Sequence, residues 1–205
     1  MSLYEFDKQW REDYPIICGV DEAGRGPLAG DVYAAAVILP ADCVIEGIND
    51  SKKLTAIKRE RLYNEIIESA VSYCIAAATV EEIEKYNILG ATFLAMKRAV
   101  EGLNLKPDLA LIDGNQRPEL SIKSECVIKG DSISACIAAA SILAKVARDR
   151  YMKELSERYP NYCFEKHKGY GTKLHIELIR KYGACPEHRL SFLRKIGDGA
   201  NGADS

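Results

Sequence analysis

The chain has no run of eighteen apolar residues, no C-x-x-C pair and only three histidines among 205 residues. The first absence leaves no segment long enough to cross a bilayer as a helix. The opening MSLYEFDKQWRED has neither a basic n-region nor an apolar h-region, so neither secretion nor membrane association is expected. The cysteines, at positions 18, 43, 74, 126, 136, 163 and 185, are odd in number and widely spaced, which fits buried or incidental thiols in a reducing cytoplasm and argues against a disulfide framework or a zinc site. A catalytic cysteine would need a paired base, and His167, His175 and His188 stand in no such context. There is also no internal repeat and no heptad, so a monomer is the plain expectation.

What is present fits one substantial α/β domain over residues 1–195, followed by a disordered tail over 196–205. The formal net charge of −2 hides an asymmetry. Residues 1–140 hold 15 Lys and Arg against 22 Asp and Glu, whereas residues 141–195 hold 13 against 6. A basic C-terminal third carrying all three histidines suits a polyanion such as nucleic acid. Solvated helix faces would give the same count.

The rest of the chain is organised around Gly19–Gly30, reading GVDEAGRGPLAG. An apolar run, Ile16 to Val20, reads as a buried strand and delivers the adjacent carboxylates Asp21 and Glu22 to its end. Gly24 and Gly26 flank Arg25, and Pro27 follows, so the chain turns there with its backbone open to close approach. A second strand, Val32 to Leu39, leaves the turn, and Val71 to Ala78 reads as a third in an antiparallel meander. Between them, Thr55 caps an amphipathic helix over 56–70. Thr79 and Glu82 form a capping box for a short helix to about Tyr86, and a second helix runs from about Leu89 to Val100.

The opening pattern then recurs. Leu109 to Ile112 is an apolar strand ending in Asp113-Gly114, and Glu125 to Lys129 reads as a short strand delivering Gly130-Asp131. A long helix over 134–158 follows, small and apolar in its first half and charged in its second. Asp131 just ahead of it is either a ligand or a simple N-cap. On the charged half, Lys145, Arg148 and Arg150 read as phosphate contacts or as solvated charges. Beyond it, Tyr162 to Lys173 alternates aromatic and basic residues, and Thr172 caps a helix to about Tyr182.

Asp21, Glu22, Asp113 and Asp131 thus fall at or just after strand ends, with no cysteine or histidine beside them. An all-oxygen set selects a hard cation, Mg²⁺ or Mn²⁺. Four bare carboxylates would repel one another, so metal binding is their natural use, and such ions commonly act on phosphodiesters.

Taken in order, Gly19 to Gly30, Asp50-Ser51-Lys52-Lys53-Leu54, Ile112-Asp113-Gly114, Lys129-Gly130-Asp131, Ala138 to Arg150 and His167-Lys168-Gly169-Tyr170-Gly171-Thr172 resemble bacterial ribonuclease HII. The resemblance runs from about residue 16 to 193. It implies an α/β, ribonuclease H-like fold: a mixed central sheet flanked by helices, with a small C-terminal helical element over about 160–195 that helps hold the substrate.

The implied activity is metal-assisted cleavage of RNA in RNA/DNA hybrids and nicking on the 5′ side of single ribonucleotides in duplex DNA, leaving 3′-hydroxyl and 5′-phosphate ends. By motif, Asp21, Glu22, Asp113 and Asp131 would be catalytic metal ligands, with Mn²⁺ or Mg²⁺ as cofactor. Gly24, Arg25 and Gly26 would read the ribose 2′-hydroxyl, Tyr170 would stack on the sugar, and Lys52 and the basic C-terminal segment would meet phosphates. Without the resemblance, Arg25 could simply pair with Glu22, and Tyr170 could be core. Asp31 departs from the family, which usually has proline there. It either weakens substrate binding or is harmless. The competing readings are a DNA-specific nuclease of the same fold and a non-catalytic hybrid-binding module.

Overall fold

Five strands, β1 (Ile17–Ala23), β2 (Val32–Ile38), β3 (Ser72–Ala78), β4 (Leu109–Asp113) and β5 (Lys123–Val127), make one mixed sheet in the order β3-β2-β1-β4-β5. The computed structural model describes residues 2–194, so the tail over 196–205 lies outside the described residues. β1, β2 and β3 form the expected antiparallel meander, whereas β1, β4 and β5 run parallel. Among the described residues, no helix is long and apolar enough to cross a membrane.

Side chains alternate across the sheet, as the two-residue period of a strand requires. Ile17 joins Val37, Leu109 and Leu111 on one face, against α4 (Ala135–Arg158), with Leu62 and Ile66 of α2 (Ala56–Ser69) and partly buried Phe6 and Trp10 of α1 (Leu3–Arg11). Cys18 and Val20 join Ala34, Ala36, Ala110 and Ile112 on the other face, against Ile83, Ala95 and Met96 of α3 (Val80–Glu101). Fully burying one such Ile or Leu contributes about 1.5–3 kcal/mol, so both faces hold the sheet flat against its helices. In α4 the small residues Ala135, Ala138, Ala139 and Ala140 are all buried. They let the helix approach β1 so closely that a Cβ built on Gly19 would lie 2.1 Å from the carbonyl carbon of Cys136.

The helix ends follow their sequence signals. Ser2 with Glu5 and Thr79 with Glu82 form capping boxes, and Thr55 and Thr172 accept from the N–H groups of Lys58 and His175. The two helices expected over 80–100 are joined at Asn87, which breaks the helical path (φ 59°, ψ 172°) and whose Oδ1 accepts from the N–H groups of Leu89 and Gly90. Two boundaries differ from expectation. β1 runs on through Asp21 and Glu22, because β2 continues to pair with it as far as Ala23. β5 starts at Lys123 and stops at Val127. Being an edge strand, it tolerates polar residues at its start, and Ile128 lies exposed while Lys129 adopts the left-handed conformation (φ 57°).

Past α4, a 3₁₀ turn at Pro160–Tyr162, α5 (Phe164–His167) and α6 (Lys173–Tyr182) pack on Met152 and Leu155, and a last helical segment over 190–194 sets Phe192 against the α3 side of the sheet. All three histidines are buried there as one cluster. The N–H of Cys185 donates to His188 Nδ1 at 2.9 Å, so His188 Nε2–H donates to His175 Nε2 at 3.1 Å and His175 Nδ1–H donates to the Tyr170 carbonyl at 2.9 Å. His167 stacks on His175, with ring centroids 4.1 Å apart. Burial pushes His175 and His188 down to about 4, so the rings work as neutral hydrogen-bonding parts.

Asp31 has a structural use of its own. Its Oδ1 accepts from the N–H of Val80 at 3.0 Å, at the first turn of α3. Burial, with the Glu187 charge adding to it, raises its carboxyl to about 6. A carboxyl whose folded value lies above its unfolded 3.8 favours folding below that value and loses this contribution as pH rises through 6. Asp31→Asn should therefore be more stable than the parent at pH 8 by about 1–2 kcal/mol, with the gain fading below pH 6. Urea midpoints at pH 5 and pH 8 measure it. An equal difference at both pH values would refute the assignment.

Candidate metal centre and nucleic-acid interface

The parallel pairing of β1 with β4 has Val20 opposite Ile112 as its last rung, so the next residues, Asp21 and Asp113, sit side by side. After β5 the chain turns through the 3₁₀ segment Gly130–Ser132, and the Gly130 N–H donates to Asp113 Oδ1 at 2.6 Å. That bond draws Asp131 in. One carboxylate oxygen from each of Asp21, Asp113 and Asp131 lies within 4.8 Å of the others. Asp131 is not the N-cap of α4, because the Ser134 side chain fills that role by accepting from the Ile137 N–H. Glu22 stands beside the trio and not in it. Its Oε1 lies 3.6 Å from the Arg25 guanidinium, so the structural pairing of Arg25 does occur.

Electrostatics explain what the cluster needs. Burial, then the charges of Glu22 and Asp113, hold the Asp21 carboxyl well above the ordinary carboxylate range. Asp131 is raised by burial and by Asp113 and Asp50. Glu22 is raised by burial and by Asp113, against the pull of Arg25 and Lys52. At Lys52 burial is outweighed by Asp21, Asp131, Asp50 and Asp113, so that its ammonium is held more firmly than usual. Desolvated, mutually repelling oxygens with one lysine nearby make a strong site for a hard divalent cation, and the donor set is entirely oxygen. The residues therefore fit the metal that the sequence reading expects.

Beside this cluster lies a pocket of about 220 Å³ lined by Glu22, Gly24, Arg25, Gly26, Lys52 and Tyr170 among others. The substrate-reading residues named from sequence thus converge on one cavity. Tyr170 is 45% exposed, which excludes the core reading, and its ring edge stands 3.7 Å from where a Gly26 Cβ would be. Gly24 has φ of 103°, and a side chain on it would strike Arg148.

Two residues of the site, Ser51 and Ser141, were given no role from sequence. Ser51, Lys145 and Arg148 also line the pocket. Ser141 Oγ and Ser51 Oγ are hydrogen-bonded at 2.8 Å, and a hydrogen bond from Ser141 to Asp21 partly offsets that group's burial. On the charged half of α4, only Arg148 departs from both expected readings, being neither solvated nor free to meet a phosphate. Arg148 is buried beneath the turn, Lys145 pairs with Asp149 at 2.6 Å, and Arg150 pairs with Glu60 at 2.5 Å. For Ser141 the signal was there, a lone hydroxyl in a run of buried alanines.

Comparison with known proteins bears on family and fold. The family model described as Ribonuclease HII matches residues 18–195. The chain is 56% identical over 190 residues to "Ribonuclease HII" of Caldicellulosiruptor bescii, covering 93% of this chain and 92% of that one. Its fold is similar to the crystal structure of ribonuclease H2 from Pyrococcus horikoshii OT3, with a TM-score of 0.73 at 24% identity, covering 91% of this chain and 99% of the other. It is also similar in fold to Bst-RNase HIII in complex with Mn²⁺, with a TM-score of 0.61 at 18% identity, covering 82% of this chain and 63% of that one.

Proposed function

Since the chain belongs to the ribonuclease HII family, we propose that Asp21, Glu22, Asp113 and Asp131 are the ligands of its catalytic metal, and that the pocket beside them reads a ribonucleotide. Membership makes the protein a divalent-metal-dependent endonuclease of the ribonuclease H type that acts on RNA/DNA hybrids. The observation that carries the residue assignment is the meeting of Asp21, Asp113 and Asp131 within 4.8 Å, against the pocket lined by Gly24, Arg25, Gly26, Lys52 and Tyr170.

Divalent ions bound there would supply Lewis-acid stabilisation of phosphate charge and a water of lowered pKa. The protein's own groups do the rest. Asp21 and Asp113 are fixed by the N–H groups of Glu22 and Gly130, at 2.7 and 2.6 Å, so their free oxygens are aimed before any ligand arrives. Lys52 brings a cation to the scissile phosphate, and the basic segment beyond α4 meets the flanking backbone. Tyr170 offers an exposed ring face to the sugar at the junction. Backbone groups of Gly24, Arg25 and Gly26 test for the 2′-hydroxyl, the feature that separates RNA from DNA. Either Mg²⁺ or Mn²⁺ suits an all-oxygen set. The seven free cysteines are in keeping with a cytoplasmic protein, which we read as a monomer with one catalytic domain.

The direct test is a labelled DNA duplex containing one ribonucleotide, incubated with Mg²⁺, Mn²⁺ or chelator beside an all-DNA duplex and a continuous RNA/DNA hybrid. The expected result is a metal-dependent nick on the 5′ side of the ribonucleotide and no cut in DNA alone. Cleavage of the hybrid without the single-ribonucleotide nick would remove the recognition role of Arg25 and Tyr170. Cleavage of DNA alone would favour a DNA-specific nuclease.

A further inference from the structure

Two guanidinium groups lie directly beneath the Gly24–Gly30 turn, Arg148 at 1% and Arg189 at 0% exposure. Neither forms an ion pair among the described residues. Their donors go to main-chain carbonyls instead. Arg189 Nη2 donates to Gly24 O at 2.7 Å and Gly30 O at 2.6 Å, Nη1 to Arg25 O at 3.1 Å and Pro27 O at 2.8 Å, and Nε to Gly30 O at 2.9 Å. Arg148 donates to Asp31 O at 3.2 Å, Lys168 O at 3.0 Å and Ala29 O at 3.0 Å.

The consequence follows from peptide geometry. Every peptide here is trans, so the N–H of each unit points away from its carbonyl. With the carbonyls of Gly24 and Arg25 drawn inward to Arg189, the N–H groups of Arg25 and Gly26 must face the opposite way, and both residues line the pocket. Neither N–H has a partner among the described residues. The same two arginines tie the turn to the Tyr170 loop. Arg148 holds Lys168 O, the Leu28 N–H donates to Gly169 O at 2.8 Å, and the Arg189 N–H donates to Leu28 O at 2.8 Å.

We propose that Arg148 and Arg189 are positioning residues for ribonucleotide recognition: from beneath, they fix the turn so that the Arg25 and Gly26 N–H groups stand as a pair of donors toward the sugar, with Tyr170 held opposite. The proposal rests on the reading of the pocket given above. It departs from a purely structural role, since what it assigns to these side chains is the orientation of two donors and not only the burial of a loop. A planar guanidinium with five donors in fixed directions can serve four carbonyls at once, and a lysine ammonium cannot.

The test uses Arg189→Lys and Arg148→Lys in the full chain. In an Asp113→Asn background, which blocks cleavage, fluorescence anisotropy gives affinities for a duplex with one ribonucleotide and for the same duplex in DNA alone. The background should prefer the ribonucleotide duplex. Either arginine variant should lose that preference while binding plain DNA within about twofold of the background, since its phosphate contacts remain. In the otherwise native enzyme, kcat/KM for the single-ribonucleotide nick should drop by about 100-fold, the scale expected for a small misplacement of a positioning group. The metal concentration for half-maximal rate should stay unchanged. If the background itself shows no preference, the pocket reading fails. If the background discriminates and a folded arginine variant discriminates equally, the pocket reading stands and the positioning role is overturned. Loss of the fold in both variants would assign these arginines to stability and overturn it too.

Discussion

Asp113→Asn is expected to abolish cleavage and, in the presence of chelator, to make the protein more stable. The two effects have one cause. Asp113 raises the carboxyls of Asp21 and Asp131, in both cases adding to their burial, and it faces Lys52 as well. Removing its charge relieves a repulsion that the fold tolerates only because the site is built for cations. The amide oxygen can still accept the Gly130 N–H, so the local turn survives. We expect a gain of about 1 kcal/mol without metal. Activity should drop by at least about 10³-fold, because metal-assisted charge stabilisation is worth several kcal/mol in the transition state. Calorimetric titration with Mn²⁺ should show much weaker binding, and the metal-induced rise in Tm expected of the parent should vanish. A variant that is both less stable in chelator and still active would mean that the carboxylate is a structural part.

Why this cluster was legible in sequence, and the layer beneath it was not, comes down to the range of the interactions. Asp21 and Asp113 each close an apolar strand and Asp131 follows one, so local pattern alone sets them at neighbouring positions of a sheet. The caps at Thr55, Thr79 and Thr172 and the break between the two helices at Asn87 are equally local. Arg148 and Arg189 are the opposite case. A charged residue on an apparently solvated helix face, and another in a short C-terminal segment, become buried because carbonyls 117 to 165 residues earlier come to meet them. Burying a guanidinium is unfavourable unless its donors are satisfied, and nothing near either residue in the chain announces the partners. Asp31 hid for the same reason. Its use as an acceptor for α3 depends on the Val80 N–H, 49 residues away. At β5 the miss was one of register, since an edge strand lacks the continuous apolar run that marked β1 and β4.

Gly19 carries the second large effect. It lies in β1 two residues before Asp21, where the small-residue half of α4 crosses the sheet. An added methyl would meet backbone on α4: the Cys136 carbonyl carbon at 2.1 Å, the Ile137 nitrogen at 2.2 Å and the Cys136 oxygen at 2.4 Å. Backbone cannot rotate aside as a flexible side chain can, so the helix must back away from the strand. Overpacking of a close-packed core costs typically 1–3 kcal/mol and occasionally more, and an obstacle made of main chain belongs at the upper end. Gly19→Ala should therefore lose about 3 kcal/mol or more, a large share of the roughly 5–15 kcal/mol that holds a domain of this kind together. Activity should fall even in the folded fraction. Ser141 of α4 hydrogen-bonds to Ser51 and supports Asp21, and the turn bearing Asp131 leads directly into α4, so lifting the helix spreads the carboxylates apart. Gly26→Ala is the control, since its Cβ would meet only the Tyr170 ring at 3.7 Å. It should leave the urea midpoint within about 0.5 kcal/mol of the parent while weakening the nick at a single ribonucleotide. Equal stability for the Gly19 and Gly26 variants would mean that α4 does not press on β1 as the structure has it, and that the small residues at its start have another purpose.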